Sequence, residues 1–432
     1  MVWNFYRIMA PARRKQEGLL ARVNFPLYTL QMLTSRHVLV GGGGGSSNTG
    51  VANGFEIFEL SHDGEGFVAE EVVRHETGSS VVMNCASHSS GHRTFLVAGQ
   101  ESHCQLYHVN MEILDSDDIR SNEVGDSNVV RQRSKKSAVS DSEEKVDRNG
   151  NSYKRLKFQI KPSDSIQTDF NEDEPLQRVV RIGHSGRLMA TGGTDGHVRL
   201  WQFPSLRKMI DIPAHSKEID DVDISPNEKL VISISKDGLA IVWDAESGKK
   251  EQELKWTVPE GSKYLYKRCR FGLVEGNVNN TRLFMLVNPV GQRGRQKAFL
   301  QLWLPQDGSL KKAVPCNDSL SALAVSDDGR FVAVGTMFSG SVSVYIAFSL
   351  QKVLHIEGAH SMFITGLEFL PVASGGLPIT SSAEAAVVSI SVDNRVCIHS
   401  LAFRSTLPVW LMIILIIVTM FCAFLLCSFL GI

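Results

Sequence analysis

The stretch Ile182-Gly-His-Ser-Gly-Arg-Leu-Met-Ala-Thr-Gly-Gly-Thr-Asp-Gly-His-Val-Arg-Leu-Trp201 aligns without a gap on Ile224-Ser-Pro-Asn-Glu-Lys-Leu-Val-Ile-Ser-Ile-Ser-Lys-Asp-Gly-Leu-Ala-Ile-Val-Trp243. Each holds a turn, an apolar strand, an Asp-Gly turn and an alternating strand that closes on an aromatic. From Trp201 to Trp243 the repeat is 243 minus 201, or 42 residues. A third unit, Val325-Ser-Asp-Asp-Gly-Arg-Phe-Val-Ala-Val-Gly-Thr-Met-Phe-Ser-Gly-Ser-Val-Ser-Val-Tyr345, follows the same plan with one extra residue. One such unit cannot bury its own apolar face, so self-similarity at this period implies stacked copies.

A period of roughly 40–45 residues with an Asp turn and a closing Trp predicts the four-stranded blades of a WD-repeat β-propeller. Weaker copies end at Phe58, at Tyr107 and at Trp303, and a last one covers 363–401. The count is about seven blades. The expected fold class is therefore all-β, a seven-bladed WD-repeat propeller followed by a single C-terminal transmembrane helix. The domains are an N-terminal segment at 1–24, the propeller at 25–403 and a tail anchor at 404–432. Ring closure is expected to pair residues 25–30, or residues before them, with the last blade. His215, His360, Asp195 and Asp237 stand where such blades bond internally, so they read as structural rather than catalytic.

With 43% hydrophobic residues in 432, the chain can bury a real core. A net charge of −1 provides no field for nucleic-acid binding by the whole chain. The cysteines Cys85, Cys104, Cys269, Cys316, Cys397, Cys422 and Cys427 form no Cys-x-x-Cys pair, which argues against zinc and thiol redox chemistry. The first five read as small buried residues in a reducing compartment. From Leu407 to Leu430 no residue is charged, and Trp410 stands near one end. About 20 apolar residues suffice to span a bilayer. Residues 1–12 show no signal-peptide pattern. The span therefore reads as a tail anchor, with Arg404 favouring a cytosolic propeller.

A long connection, Gly41-Gly42-Gly43-Gly44-Gly45-Ser46-Ser47-Asn48-Thr49-Gly50-Val51-Ala52-Asn53-Gly54, separates two strand-like runs, His37-Val38-Leu39-Val40 and Phe55-Glu56-Ile57-Phe58. Hairpins need about 2–5 residues, so this loop projects. It is not a nucleotide-phosphate loop, because no Gly-Lys-Ser or Gly-Lys-Thr follows and no helix pattern opens after it. Its glycines can aim several peptide groups at one small ion or at a partner surface. Between about 111 and 151 the repeats break into mixed charge, including Arg131-Gln-Arg-Ser-Lys-Lys136 and Ser140-Asp-Ser-Glu-Glu144, which reads as a disordered insertion. The basic loop 287–297 reads as a solvated hairpin tip.

The chain resembles the prolactin regulatory element-binding protein family, the animal counterpart of the endoplasmic-reticulum exchange factor for the Sar GTPase. The resemblance rests on Phe25-Pro-Leu-Tyr28, Gly41–Gly44 with Asn53-Gly54, and Ala98-Gly-Gln100 with His103-Cys-Gln-Leu106. It also rests on Ala190-Thr-Gly-Gly-Thr-Asp-Gly196, Cys269-Arg-Phe-Gly272, Tyr345-Ile-Ala-Phe-Ser-Leu-Gln351 and Pro408-Val-Trp-Leu411. It implies a guanine-nucleotide exchange factor rather than a classical enzyme, held in the endoplasmic-reticulum membrane with its propeller in the cytosol. Such a protein acts on GDP-bound or nucleotide-free Sar, and other COPII assembly factors are further partners. The product, GTP-loaded Sar, starts COPII coat assembly and export to the Golgi. The resemblance assigns Gly41, Gly42, Gly43, Gly44, Gly45, Ser46, Ser47, Asn48 and Thr49 to GTPase contact. Gly43, Gly44, Ser46 and Asn48 would form a potassium cage, with no other cofactor. The alternatives are a transcription regulator binding a promoter element, against which the lack of a basic groove argues, and a non-catalytic membrane-tethered scaffold.

Overall fold

Apolar residues alternating with period two commit most of the chain to strands, each with side chains for the sheets on either side. The computed structural model describes residues 18–45, 50–64, 66–90, 93–114, 155–259, 263–274, 276–291, 296–372, 383–403 and 409–430. The described strands form seven four-stranded antiparallel sheets, the blades of a propeller. From the axis outward, blade 1 holds Leu27–Met32, His37–Gly42, Gly54–His62 and Phe67–Glu76. Blade 4 repeats the plan with Ile219–Ile224, Leu230–Ser235, Ala240–Asp244 and Lys250–Glu253. Blade 7 takes three strands, Ile364–Phe369, Ala383–Ser391 and Arg395–Ala402, from late in the chain. Its outermost strand, Leu19–Arg22, comes from early in the chain, with Leu19 opposite Cys397 and Arg22 opposite Arg395. The ring thus reaches ahead of the boundary expected at 25, because closure needs a fourth strand that the late segment lacks.

Seven apolar clusters fill the seven junctions between neighbouring blades. At the seam, Val23, Phe25, Leu27 and Val40 of blade 1 and its approach pack on Ala386, Val388, Ile390 and Val396 of blade 7. Two inner-strand carboxylates also staple blade 4 to blade 5. Asp221 accepts from the Cys269 N–H at 3.2 Å, and Asp223 from the Phe271 N–H at 2.7 Å. Burial pushes the Asp223 carboxyl up to about 7.

The expected internal bonds are present. In blade 4, Trp243 Nε1 donates to Ser233 Oγ at 2.8 Å, and His215 bridges Ser233 Oγ (2.8 Å) and Asp237 (2.9 Å). Blade 7 repeats this with His360 between Ser389 and Asp393, and with His399 in place of the tryptophan. Burial lowers the His215 and His360 pKa values against the pull of their aspartates. Asp195 accepts from the Phe170 and His197 amides and pairs with Arg199 at 2.8 Å.

In blade 2 the hairpin His103–Leu114 with Arg155–Gln167 pairs to its ends, Leu114 opposite Arg155. The outer strand expected from Arg155 is therefore in place. Met111–Leu114 are ladder residues rather than insertion, because Phe158 and its neighbours give them partners. The remainder of the expected disordered insertion, 115–154, lies outside the described residues. Cys85, Cys104, Cys269 and Cys397 are buried free thiols, while Cys316 is half-buried.

Because neighbouring strands alternate in direction, two kinds of connection share one face of the ring. They are the link between blades and the turn joining second to third strands; this side is termed the loop face. The connection 43–53 joins second to third strand in blade 1, so it lies there. Arg395–Ala402 is a third strand and ends on the opposite face, where Ala402 pairs with Ala383. The helix Val409–Leu430 follows and carries no charge. Among the described residues no helix is long and apolar enough to cross a membrane. The expected transmembrane helix is thus not established by the fold.

Candidate functional site

The glycine-rich stretch divides into a packed root and a projecting part. Gly41 and Gly42 finish the strand His37–Gly42, opposite Phe55 and Gly54 on one side and Thr29 and Leu27 on the other. A Cβ on Gly42 would stand 1.9 Å from the Pro26 carbonyl oxygen, and one on Gly41 would stand 2.9 Å from Thr29 Cγ2. Glycine is needed here for close approach of backbone, not for mobility. Both residues are buried ladder members, and the chain leaves the sheet at Gly43.

At Gly43 the chain turns out of the sheet with φ +148°, and its N–H donates to the Pro26 carbonyl at 3.1 Å. A Cβ there would stand 2.0 Å from Asn53 Oδ1. Asn53 is 5% exposed, and its carboxamide clamps the two ends of the loop. Oδ1 accepts from the Gly45 N–H at 3.0 Å, and Nδ2 donates to the Gly45 carbonyl at 3.1 Å and to the Gly78 carbonyl at 2.9 Å. The Asn53 carbonyl accepts from Thr77 N–H at 3.0 Å. Val51 adds an apolar staple to the blade 7–blade 1 cluster. Within the clamp, Gly45 takes φ +89° with open space where a Cβ would stand. Ser46, Ser47, Asn48 and Thr49 lie outside the described residues. Asn53 was legible only as an Asn-Gly dipeptide at a strand start; an Asn side chain that mimics a turn's peptide group is its physical meaning.

The titratable side chain beside the root, His75, has its pKa lowered by burial, and its ring meets Tyr107 edge-on at 5.7 Å. Its carbonyl faces Gly54 at 2.2 Å from where a Cβ would stand. The described part of the loop, Gly43–Gly45 and Gly50–Asn53, carries no titratable side chain, so it offers a partner peptide dipoles and shape. Among the described residues no group of three or more His, Cys, Asp or Glu could hold a metal. An ion in this loop would be held by neutral oxygens: the carbonyls of Gly43 and Gly44, beside the Asn53 carboxamide. Neutral carbonyl oxygens suit a weakly hydrated monovalent cation such as potassium. Of the expected cage, Gly43 and Gly44 are described, while Ser46 and Asn48 lie outside the described residues.

The family described as WD domain, G-beta repeat matches residues 177–202 and 206–244. The guanine nucleotide-exchange factor SEC12 of Mus musculus is 33% identical over 408 residues, covering 93% of this chain and 95% of the mouse protein. The Rattus norvegicus protein of the same name is 33% identical over the same length. SEC12-like protein 1 of Arabidopsis thaliana is 28% identical over 210 residues, 48% of this chain and 49% of its own. The family resemblance drawn from the sequence and the full-length kinship agree: this chain belongs to the SEC12 family of guanine nucleotide-exchange factors.

Proposed function

We propose that the chain accelerates GDP release from a Sar-type small GTPase at the endoplasmic-reticulum membrane, the step that starts COPII coat assembly. The observation that carries this reading is the clamped root of the loop. Asn53, Pro26 and Gly78 hold its base rigidly on the ring, and Gly45 stands at its edge with open space around it. A pre-positioned loop spends little ordering entropy on docking. Pressed on the nucleotide site, it would loosen the magnesium and phosphate contacts that keep GTPase switch segments ordered. Such displacement needs no proton transfer. A potassium ion on the Gly43 and Gly44 carbonyls would fix the loop in one shape. The alternatives of a promoter-binding regulator and a passive scaffold are not favoured by full-length kinship with exchange factors.

The membrane belongs to the same proposal. Support comes from the uncharged run 407–430, the 22-residue helix within it and the exposed side chains from Met412 to Phe429. At 1.5 Å per residue its 22 residues run about 33 Å, against the roughly 30 Å of a bilayer's hydrocarbon core.

The test is release of fluorescent GDP from Sar, with the full chain added in detergent micelles. Acceleration is expected, and a variant with 43–52 replaced by a two-residue turn should leave the intrinsic rate. No acceleration by the intact chain, or full activity in the shortened one, would end the loop account. Exchanging potassium for sodium tests the ion separately, and resistance to alkaline extraction from membranes tests the anchor.

A further inference from the structure

Two neighbouring blades place apolar side chains on either side of the loop's root. On the blade 7 side, Thr365 Oγ1 donates to the Leu27 carbonyl at 2.7 Å, and Leu27 lies opposite Gly42. Two residues before Thr365 stands Phe363, 38% exposed, next to Met362, 49% exposed. On the blade 2 side, Cys85 Sγ lies 2.9 Å from Thr29 Oγ1, and Thr29 lies opposite Gly41. Two residues before Cys85 stands Met83, 38% exposed. All three apolar residues sit in links between blades and so share the loop face. The same 77–83 link supplies the Gly78 carbonyl that anchors Asn53.

Met189 and Met285, by contrast, are wholly buried in blade junctions. Exposed methionine and phenylalanine beside a candidate site mark a surface that gains by being covered, and methionine adapts to irregular partners. Phe170 and Phe338, 51% and 45% exposed, share the loop face but stand in other blades, and a groove of about 570 Å³ with Phe348 70% exposed at its lip lies on the opposite face. Leu401 lines it, one residue before the last propeller strand ends at Ala402. That groove is on the side where the chain leaves the ring, away from the loop.

We infer that Met83, Met362 and Phe363 frame the loop as the docking surface for the small GTPase, seating an apolar part of its switch surface while the loop reaches the nucleotide site. This rests on the exchange reading above. The frame supplies affinity and the loop supplies the rate, so their substitutions separate kinetically.

The experiment measures GDP release from Sar against concentration of the full chain in detergent micelles, for Met83→Glu, Met362→Glu and Phe348→Glu. The first two are expected to raise the half-saturating concentration about tenfold or more, with the saturating rate retained. Phe348→Glu, on the opposite face, should match the unsubstituted protein. Circular dichroism melting controls for folding, and a folded Met362→Gln variant should fall between. The inference is overturned if both loop-face variants behave as the unsubstituted protein, or if Phe348→Glu shows the loss instead. No acceleration by the unsubstituted chain overturns the exchange reading itself, and the docking surface with it.

Discussion

In blade 4 the closing Trp243 bonds to Ser233, Ser233 to His215 and His215 to Asp237. In blade 1 the register places Phe58, Val40 and Val23 at the positions of that Trp, Ser and His, all apolar and all in one cluster. The two blades share a strand plan and differ in what holds their corners. Blade 4 closes with a polar chain and a tight turn at Asp237-Gly238. Blade 1 closes with oil, and its one polar clamp, Asn53, sits further out, where it positions a long loop. The repeat keeps its polar corner in blade 4 and loses it in blade 1, where the long loop stands.

The largest effect that tests this contrast is Trp243→Ala. Loss of the buried indole should destabilise the propeller by about 3–5 kcal/mol in denaturant melts. Exchange per folded molecule should stay unchanged; a loss of rate in the folded fraction would place part of the site in blade 4.

Next is acid sensitivity, read at the polar corner of blade 7, where His399 takes the closing position. Burial, and then neighbouring His360, hold His399 down to about 4. Its unfolded value is near 6.5, so the unfolded chain takes up the proton first. The contribution is intact above about pH 6.5 and lost as pH falls toward 4, on the order of 3 kcal/mol in all. Asp223 and Glu368, both pushed up to about 7 by burial, act oppositely and favour the fold as pH drops from 7 toward 4. Melting temperature against pH, compared between the unsubstituted chain and His399→Gln, cancels that background. The variant should lose less on acidification; parallel curves would refute the assignment.

Gly43→Ala comes third. Its Cβ meets Asn53 Oδ1 at a φ that L-residues avoid, a local cost of about 1–3 kcal/mol. The melt should fall by about that amount, because Asn53 is buried and clamped, and exchange should fall with it; Gly45→Ala, in open space, should be milder on both counts. Smallest in stability is Asn53→Ala, about 1–2 kcal/mol for the lost hydrogen bonds, yet with a fall in saturating exchange rate larger than its stability change implies. Asn53→Asp, which keeps the acceptor for Gly45 but not the donors, should be intermediate. Unchanged rates in both would make the clamp purely architectural.

The ring was legible in the sequence because 182–201 and 224–243 retain the Asp turn and closing Trp, and the family match covers the same blades. Blades such as the first could be counted only from alternation and an aromatic end. The loop's existence was legible from its length. Its true start was not, because Gly41 and Gly42 owe their identity to Thr29 and Pro26, contacts that a run of five glycines does not reveal. Leu19–Arg22 is too short and too mixed in pattern to announce a closing strand. Met83, Met362 and Phe363 carry no periodicity at all, since single apolar residues in links have no neighbours to repeat with.

The seam between Leu19–Arg22 and Arg395–Ala402 sets a schedule for the protein's birth. Arg22 must wait for Arg395, 373 residues later by subtraction, which at about 5–20 residues per second is a delay of roughly 20 to 75 s. Through that interval the nascent disc is an open crescent, with the flank of its first blade that packs on Ala386, Val388 and Ile390 still uncovered. Pro26, on which Gly43 leans, sits just past this last-stitched strand. The footing of the loop, from Pro26 to Gly78, lies within the first blade and can set early, while the packing of Val51 against blade 7 waits for the closing strand.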